Sequence, residues 1–130
     1  MEFLNPPDWP RPKGYSNGIA ARGRLVFTAG VVGWNKDEVF EHADMVGQFR
    51  QALENIVAIL AEGGARPEHV VRMTWYITDK REYLDNAREI GRIYRKIMGK
   101  HFPVMAVVQV TALMEDAAKV EIETTAVVPD

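Results

Sequence analysis

The sequence predicts an α+β fold in which two helices cover one face of a mixed β-sheet. Two observations carry this. Residues 103–110 and 119–128 alternate with period two, as half-buried strands of an antiparallel sheet do. Residues 44–62 and 81–98 instead place apolar side chains at three- and four-residue spacings, as amphipathic helices do. Two helices can cover only one face. The other face, to which Val107 and Val127 are assigned, is too apolar to leave in water and is expected to pack against copies of the same chain.

Taken in order, the expected elements run β-β-α-β-α-β-β. Residues 1–13 form an arm holding Pro6, Pro7, Pro10 and Pro12, which lack N–H donors and have fixed φ, so an extended arm is expected rather than a helix. Residues 19–21 and 25–29 flank Arg22-Gly23-Arg24 and read as a hairpin. Gly30 to Trp34 follows, where glycine admits a bulge or a close backbone approach. In the first helix Met45, Phe49, Leu53, Ile56 and Leu60 make the apolar stripe. Asp44 is its N-cap, and Gly63-Gly64 its left-handed stop. Val70–Ile77 is rich in β-branched and aromatic residues and reads as a strand. The second helix is expected to bury Tyr83, Ala87, Ile90, Tyr94 and Ile97, with Arg88, Arg92, Arg95 and Lys96 on a solvated face, and to end at Gly99. An acidic turn at Glu115-Asp116 then joins the two C-terminal strands.

Composition bounds the function. A chain of 130 residues, 47% hydrophobic, is expected to be one domain, 1–130, with a sizeable core. Sixteen basic against eighteen acidic side chains give a net charge of −2, which argues against nucleic acid or an anionic membrane as partner. The absence of cysteine excludes disulfides and thiolate nucleophiles. His42, His69 and His101 show no ligand spacing, so no metal is expected. The N-terminus lacks a basic region followed by an apolar run, and no apolar run is long enough for a membrane helix; a cytoplasmic protein is the expectation. Gly30 to Gly33 is no phosphate loop, because neither a lysine nor a helix follows directly.

Six short pieces resemble the reactive-intermediate deaminase family, also called Rid or YjgF-like proteins and related by name to endoribonuclease L-PSP. They are Gly14-Tyr15-Ser16-Asn17-Gly18-Ile19, Leu25-Val26-Phe27-Thr28-Ala29-Gly30, Gln51-Ala52-Leu53-Glu54-Asn55-Ile56, Val70-Val71-Arg72-Met73-Thr74, Phe102-Pro103 and Lys119-Val120-Glu121-Ile122-Glu123. The resemblance implies a chorismate-mutase-like fold in a homotrimer, with a central barrel and a cleft between each pair of subunits. It also implies hydrolysis of enamines or imines to a keto compound and ammonia, with no cofactor. By the same resemblance Tyr15 is the family's early tyrosine, Gly30 its main-chain-donating glycine and Glu121 its acid or water-holding glutamate. The family's carboxylate-binding arginine falls at Met105, its following cysteine at Val107, and its second-helix asparagine at Gly91. The chain thus resembles an arginine-less branch.

A thioether cannot replace a two-bond guanidinium fork. Losing such a contact costs about 2–5 kcal/mol of binding, so poor turnover of small 2-imino acids such as 2-aminoacrylate is expected. Glu121 is the expected catalytic acid; its alternative is a surface glutamate like Glu123. Tyr15 either donates to a substrate oxygen or closes the arm over the sheet. Gly30 and Val31 offer main chain to the substrate. Met105, Val107 and Trp34 form an apolar wall suited to a bulkier or more delocalised substrate, of the aminomuconate type; Trp34 and Met105 alternatively pack an interface. Arg72 and Arg24 are candidate replacement cations, and otherwise exposed strand arginines. His101 near the cleft is expected to be solvent-exposed. The rival to an enzyme is a trimer that binds a small metabolite without chemistry. An RNA-directed role fits poorly with the charge balance.

Overall fold

A computed structural model describes residues 1–130, and it has the predicted class: a mixed sheet with helices packed on one face. The strands are β1 (Glu2–Leu4), β2 (Gly18–Ala20), β3 (Arg24–Phe27), β4 (Val31–Val32), β5 (Val70–Ile77), β6 (Val104–Gln109) and β7 (Val120–Val128). The helices are α1 (Met45–Glu62), α2 (Lys80–Asp85) and α3 (Ala87–Met98). The main sheet is ordered β3-β7-β5-β6, and β4 pairs with β7 beside β3. β5 and β6 are parallel; every other pairing is antiparallel. β6 is therefore an outer strand, touched on its free side only by a bridge from Ser16 to Val104.

The core lies between α1, α3 and the sheet. The α1 stripe is as expected: Met45, Phe49, Leu53, Ile56 and Leu60 are all fully buried. Asp44 caps the helix, its carboxylate accepting from Gly47 N at 2.9 Å. That bond holds the Asp44 carboxyl below its usual range. Opposite α1, alternate residues Val120, Ile122, Thr124 and Ala126 of β7 and Met73, Trp75 and Ile77 of β5 are buried. Phe49 meets the Trp75 ring edge-on, with centroids 4.5 Å apart. One polar side chain sits in this core. Gln48 donates from Nε2 to the carbonyls of His42 (3.0 Å) and Ala117 (2.9 Å), and its Oε1 accepts from Lys119 N at 2.7 Å. Both its N–H groups and its carbonyl oxygen are directed at loop backbone, so the loops that precede α1 and β7 are joined by one residue.

The arm is extended, as expected, and Glu2–Leu4 pairs antiparallel with Gly18–Ala20. Four expectations are corrected. The hairpin over 19–21 and 25–29 does not form, because β2 pairs with β1 and β3 pairs with β7. Gly23 serves a crossing instead of a turn; at its φ of 149° a Cβ would overlap the Val128 carbonyl. The strands at 103–110 and 119–128 are not neighbours, since β5 lies between them. The second helix is broken at Asn86, whose Nδ2 donates to the Glu82 carbonyl at 2.8 Å. The break resets the helical phase, so Ala87 is exposed and Ile90, Ile93, Tyr94 and Met98 are buried. Finally, Val107 is paired with Trp75 and shares its helix-facing side, so it is not part of the open face. Around α1 the left-handed stop falls on Gly64 (φ 73°) rather than on Gly63.

Candidate functional site

The sequence-predicted residues fall into two groups on opposite faces of the sheet. The first group surrounds a cavity of about 300 Å³ at the margin of the helix-covered face, between β6 and α3. Tyr15, Met105 and Val107 line it, and the register explains why: Met105 pairs with Met73 and Val107 with Trp75, so all four side chains point the same way. Past the cover of the helices this row opens to solvent. The arm closes one side. Ser16 Oγ donates to the Phe102 carbonyl at 2.6 Å and Ser16 N to the Pro103 carbonyl at 3.0 Å, which holds the preceding Tyr15 at the rim. The Tyr15 hydroxyl has no partner in the chain.

Aromatic side chains make the rest of the wall. Tyr83 and Tyr94 each pack on Trp75, with centroids 6.4 Å and 5.9 Å from it, and Phe102 stacks on Tyr94. The Tyr94 hydroxyl donates to the His101 carbonyl at 2.9 Å, and burial pushes both the Tyr94 and Tyr83 phenols above their usual range. The Trp75 indole N–H is buried without a partner. His101 is half-buried and donates from Nε2 to the Val70 carbonyl at 2.7 Å, which corrects the expectation of a solvent-exposed ring.

The second group lies on the open face. Glu121 pairs with Tyr76 of β5 and Val32 of β4, and the alternation that buries Val120 and Ile122 turns its carboxylate away from the helices. Glu121 is half-buried, and it forms no hydrogen bond or ion pair within the chain. Its carboxylate packs on Gly30, where any Cβ would collide with it; this is the close approach for which a glycine is required. Its neighbour Glu123 differs in being exposed and accepting the Tyr76 hydroxyl at 2.8 Å, which pushes the Tyr76 phenol up. Val31 is buried among core side chains, leaving only its main chain near Glu121. Trp34 stands just beyond β4, tilted against Phe40 at 5.7 Å, and its carbonyl accepts from Asn55 Nδ2 at 2.7 Å; it is not part of the β6 cavity. Of the two candidate replacement cations, Arg24 donates to the Gly63 carbonyl and Arg72 sits on the open face, so neither lines the cavity.

The sequence reading missed four lining residues that bear on binding: Lys13, Tyr83, Tyr94 and Arg95. Lys13 precedes a glycine at φ 78° that turns the arm across the cavity. Arg95 lies one turn after Gly91, and a glycine inside an otherwise sound helix was the signal that could have found it.

Fold and cavity together define a small α+β protein with a ligand-sized, aromatic-lined hollow at the edge of its sheet. The family model described as Endoribonuclease L-PSP matches residues 10–128. A RutC family protein of Haemophilus influenzae is 32% identical over 105 residues, 81% of this chain and 80% of that one. TdcF of Escherichia coli K12, provisionally named a reactive intermediate deaminase, is 33% identical over 108 residues, again 81% and 80%. Among solved structures, E. coli TdcF with bound serine superposes with a TM-score of 0.69 at 30% identity, covering 98% of this chain and 99% of that chain. YyfB of Yersinia pestis, a protein of unknown function from the Rid family, gives a TM-score of 0.82 at 28% identity over 98% of both chains. The chain therefore belongs to the endoribonuclease L-PSP family, the Rid or YjgF-like proteins. No helix is long and apolar enough to cross a membrane.

Proposed function

We propose that this chain is an enamine or imine deaminase whose site is completed between copies of itself. The observation that carries the reading is Glu121: a half-buried carboxylate, packed on an exposed glycine, with no partner in its own chain. Such a group calls for a partner from outside the chain. The open face around it also exposes Leu25, Phe27 and Val108, an apolar surface suited to contact with another copy. In the resulting arrangement, a homotrimer around a central barrel in the cytoplasm, the whole chain acts as one domain. Tyr15, Met105 and Val107 of one subunit face Glu121 and the Gly30 and Val31 main chain of its neighbour, with Trp34 at the margin. The deaminase name of TdcF and its bound serine support an amino-acid-sized ligand.

The chemistry needs no redox partner. An enamine first takes a proton at carbon and gives up its N–H proton to become the imine. Water then adds to the C=N carbon while Glu121 accepts its proton and passes it to nitrogen. In the collapse Glu121 carries the hydroxyl proton to nitrogen as the C–N bond breaks, ammonia leaves and the carbonyl forms. Tyr15 donates to the substrate, and the Gly30 main chain orients it. Met105 favours substrates bulkier than 2-aminoacrylate. Ammonia release over a panel of enzymatically generated enamines, with Glu121→Gln alongside, tests this: release from the wild type alone is expected, and equal rates in both proteins remove Glu121 from the mechanism. Met105 also favours a second reading, a trimer that holds a metabolite unchanged. Mass spectrometry of copurifying small molecules, with no turnover of the same compound, is the result that would select it.

A further inference from the structure

We propose that Arg95 is the substrate-anchoring cation of this chain. Its guanidinium lies over Gly91, one helical turn earlier on α3: a Cβ added at Gly91 would come within 3.3 Å of Arg95 Nη1. A glycine in the interior of a helix costs about 1 kcal/mol relative to alanine, and here it leaves the Arg95 guanidinium room that a side chain would take only by moving it a few tenths of an ångström. The space it leaves is where the guanidinium folds toward the cavity that Arg95 lines. An arginine in a last helical turn is favoured by the helix dipole wherever its side chain goes. That accounts for its sign; its place in the cavity lining is a separate observation.

The electrostatics of the hollow agree. Arg95 and Lys13 come from different elements, neither forms an ion pair, and no aspartate or glutamate of the same chain lines the cavity. Even with a neighbour's Glu121 brought to this 300 Å³ hollow by the proposed assembly, two cations face one carboxylate, and the remaining positive charge calls for an anion. Trp75, Tyr83, Met105 and Val107 line the interior and call for a flat or branched apolar body. The ligand class that satisfies both is a carboxylate bearing an aromatic or large branched side chain, carboxylate outward at Arg95 and ring inward. The identification of the cavity as the substrate site rests on the proposed deaminase reading; the anion-binding role of Arg95 does not need the chemistry.

The test uses a stable pair, cinnamate and its uncharged amide, titrated into the purified full-length protein by calorimetry. The wild type is expected to prefer cinnamate by about tenfold or more, as a charge-assisted contact implies. Arg95→Ala should bring the two ligands to within about twofold of each other, Arg95→Lys should restore part of the preference, and Gly91→Asn should weaken it by displacing the guanidinium. A preference that survives in Arg95→Ala, its absence from the wild type, or binding of neither ligand overturns the proposal. Glu121→Gln separates the two claims. If it abolishes ammonia release yet keeps wild-type cinnamate affinity, both stand. If no enamine is turned over by any variant but the preference still follows Arg95, the deaminase reading fails and the anchor remains.

Discussion

The two sides of β7 behave as if they belonged to different proteins. On one side Val120, Ile122, Thr124 and Ala126 are buried against α1 and α3, and nearby Gln48 has every hydrogen bond it needs. On the other, Glu121 has none, Glu123 and Thr125 face outward, and neighbouring Phe27 is 64% exposed. The difference separates what the single chain completes from what it leaves open. The helix side determines whether the chain folds; the open side determines what it meets.

Substitutions should separate the two sides in proportion. Ile122→Ala removes a fully buried side chain and should cost about 2–5 kcal/mol, read from urea unfolding. Gln48→Ala strands two carbonyls and one N–H in the loops that precede α1 and β7 and should cost about 3 kcal/mol by the same measurement. Asp44→Ala removes the α1 cap, at about 1 kcal/mol near neutral pH. Because the folded state holds this carboxyl below its ordinary value of 3.8, the cap's contribution is complete above that value and is lost as pH falls through the lower folded one. The Asp44→Ala difference should shrink below pH 4 in an acid titration of stability, and a difference independent of pH would show that the cap is not electrostatic. On the open side Phe27→Ser should change the stability of the isolated chain by less than about 0.5 kcal/mol, yet lower the mass measured by light scattering. An unchanged mass would end the case for that face as an interface. Glu121→Gln should leave stability within about 0.5 kcal/mol and, on the proposed reading, lower only the release of ammonia.

How much of this the sequence disclosed depended on whether the signal was local. The α1 stripe and its Asp44 cap were legible because i, i+3 and i+4 neighbours lie within one window. The alternation of β7 likewise assigned Glu121 and Ile122 to opposite sides. What was illegible was partnership. Nothing between residues 103 and 128 says that β5 will insert between the last two strands, and without that register Val107 was given to the wrong face. Gly23 looked like a turn because a glycine needed for a chain crossing is indistinguishable, in sequence, from one needed for a bend. The Asp85-Asn86 pair carried a fair hint of the helix break, but a stripe of apolar residues running across it masked the change of phase. For the site, Tyr15, Met105 and Val107 came out together, while Arg95 was hidden among four basic residues that all looked solvated.

The position of β6 at the rim has one more effect. Val-Met-Ala-Val-Val-Gln presents a free row of amide and carbonyl groups on a stretch with no charge and no proline to discourage a stranger. A newly made molecule is therefore most vulnerable to runaway stacking along this rim. High expression should favour inclusion bodies over soluble yield, and Val108→Lys should relieve it.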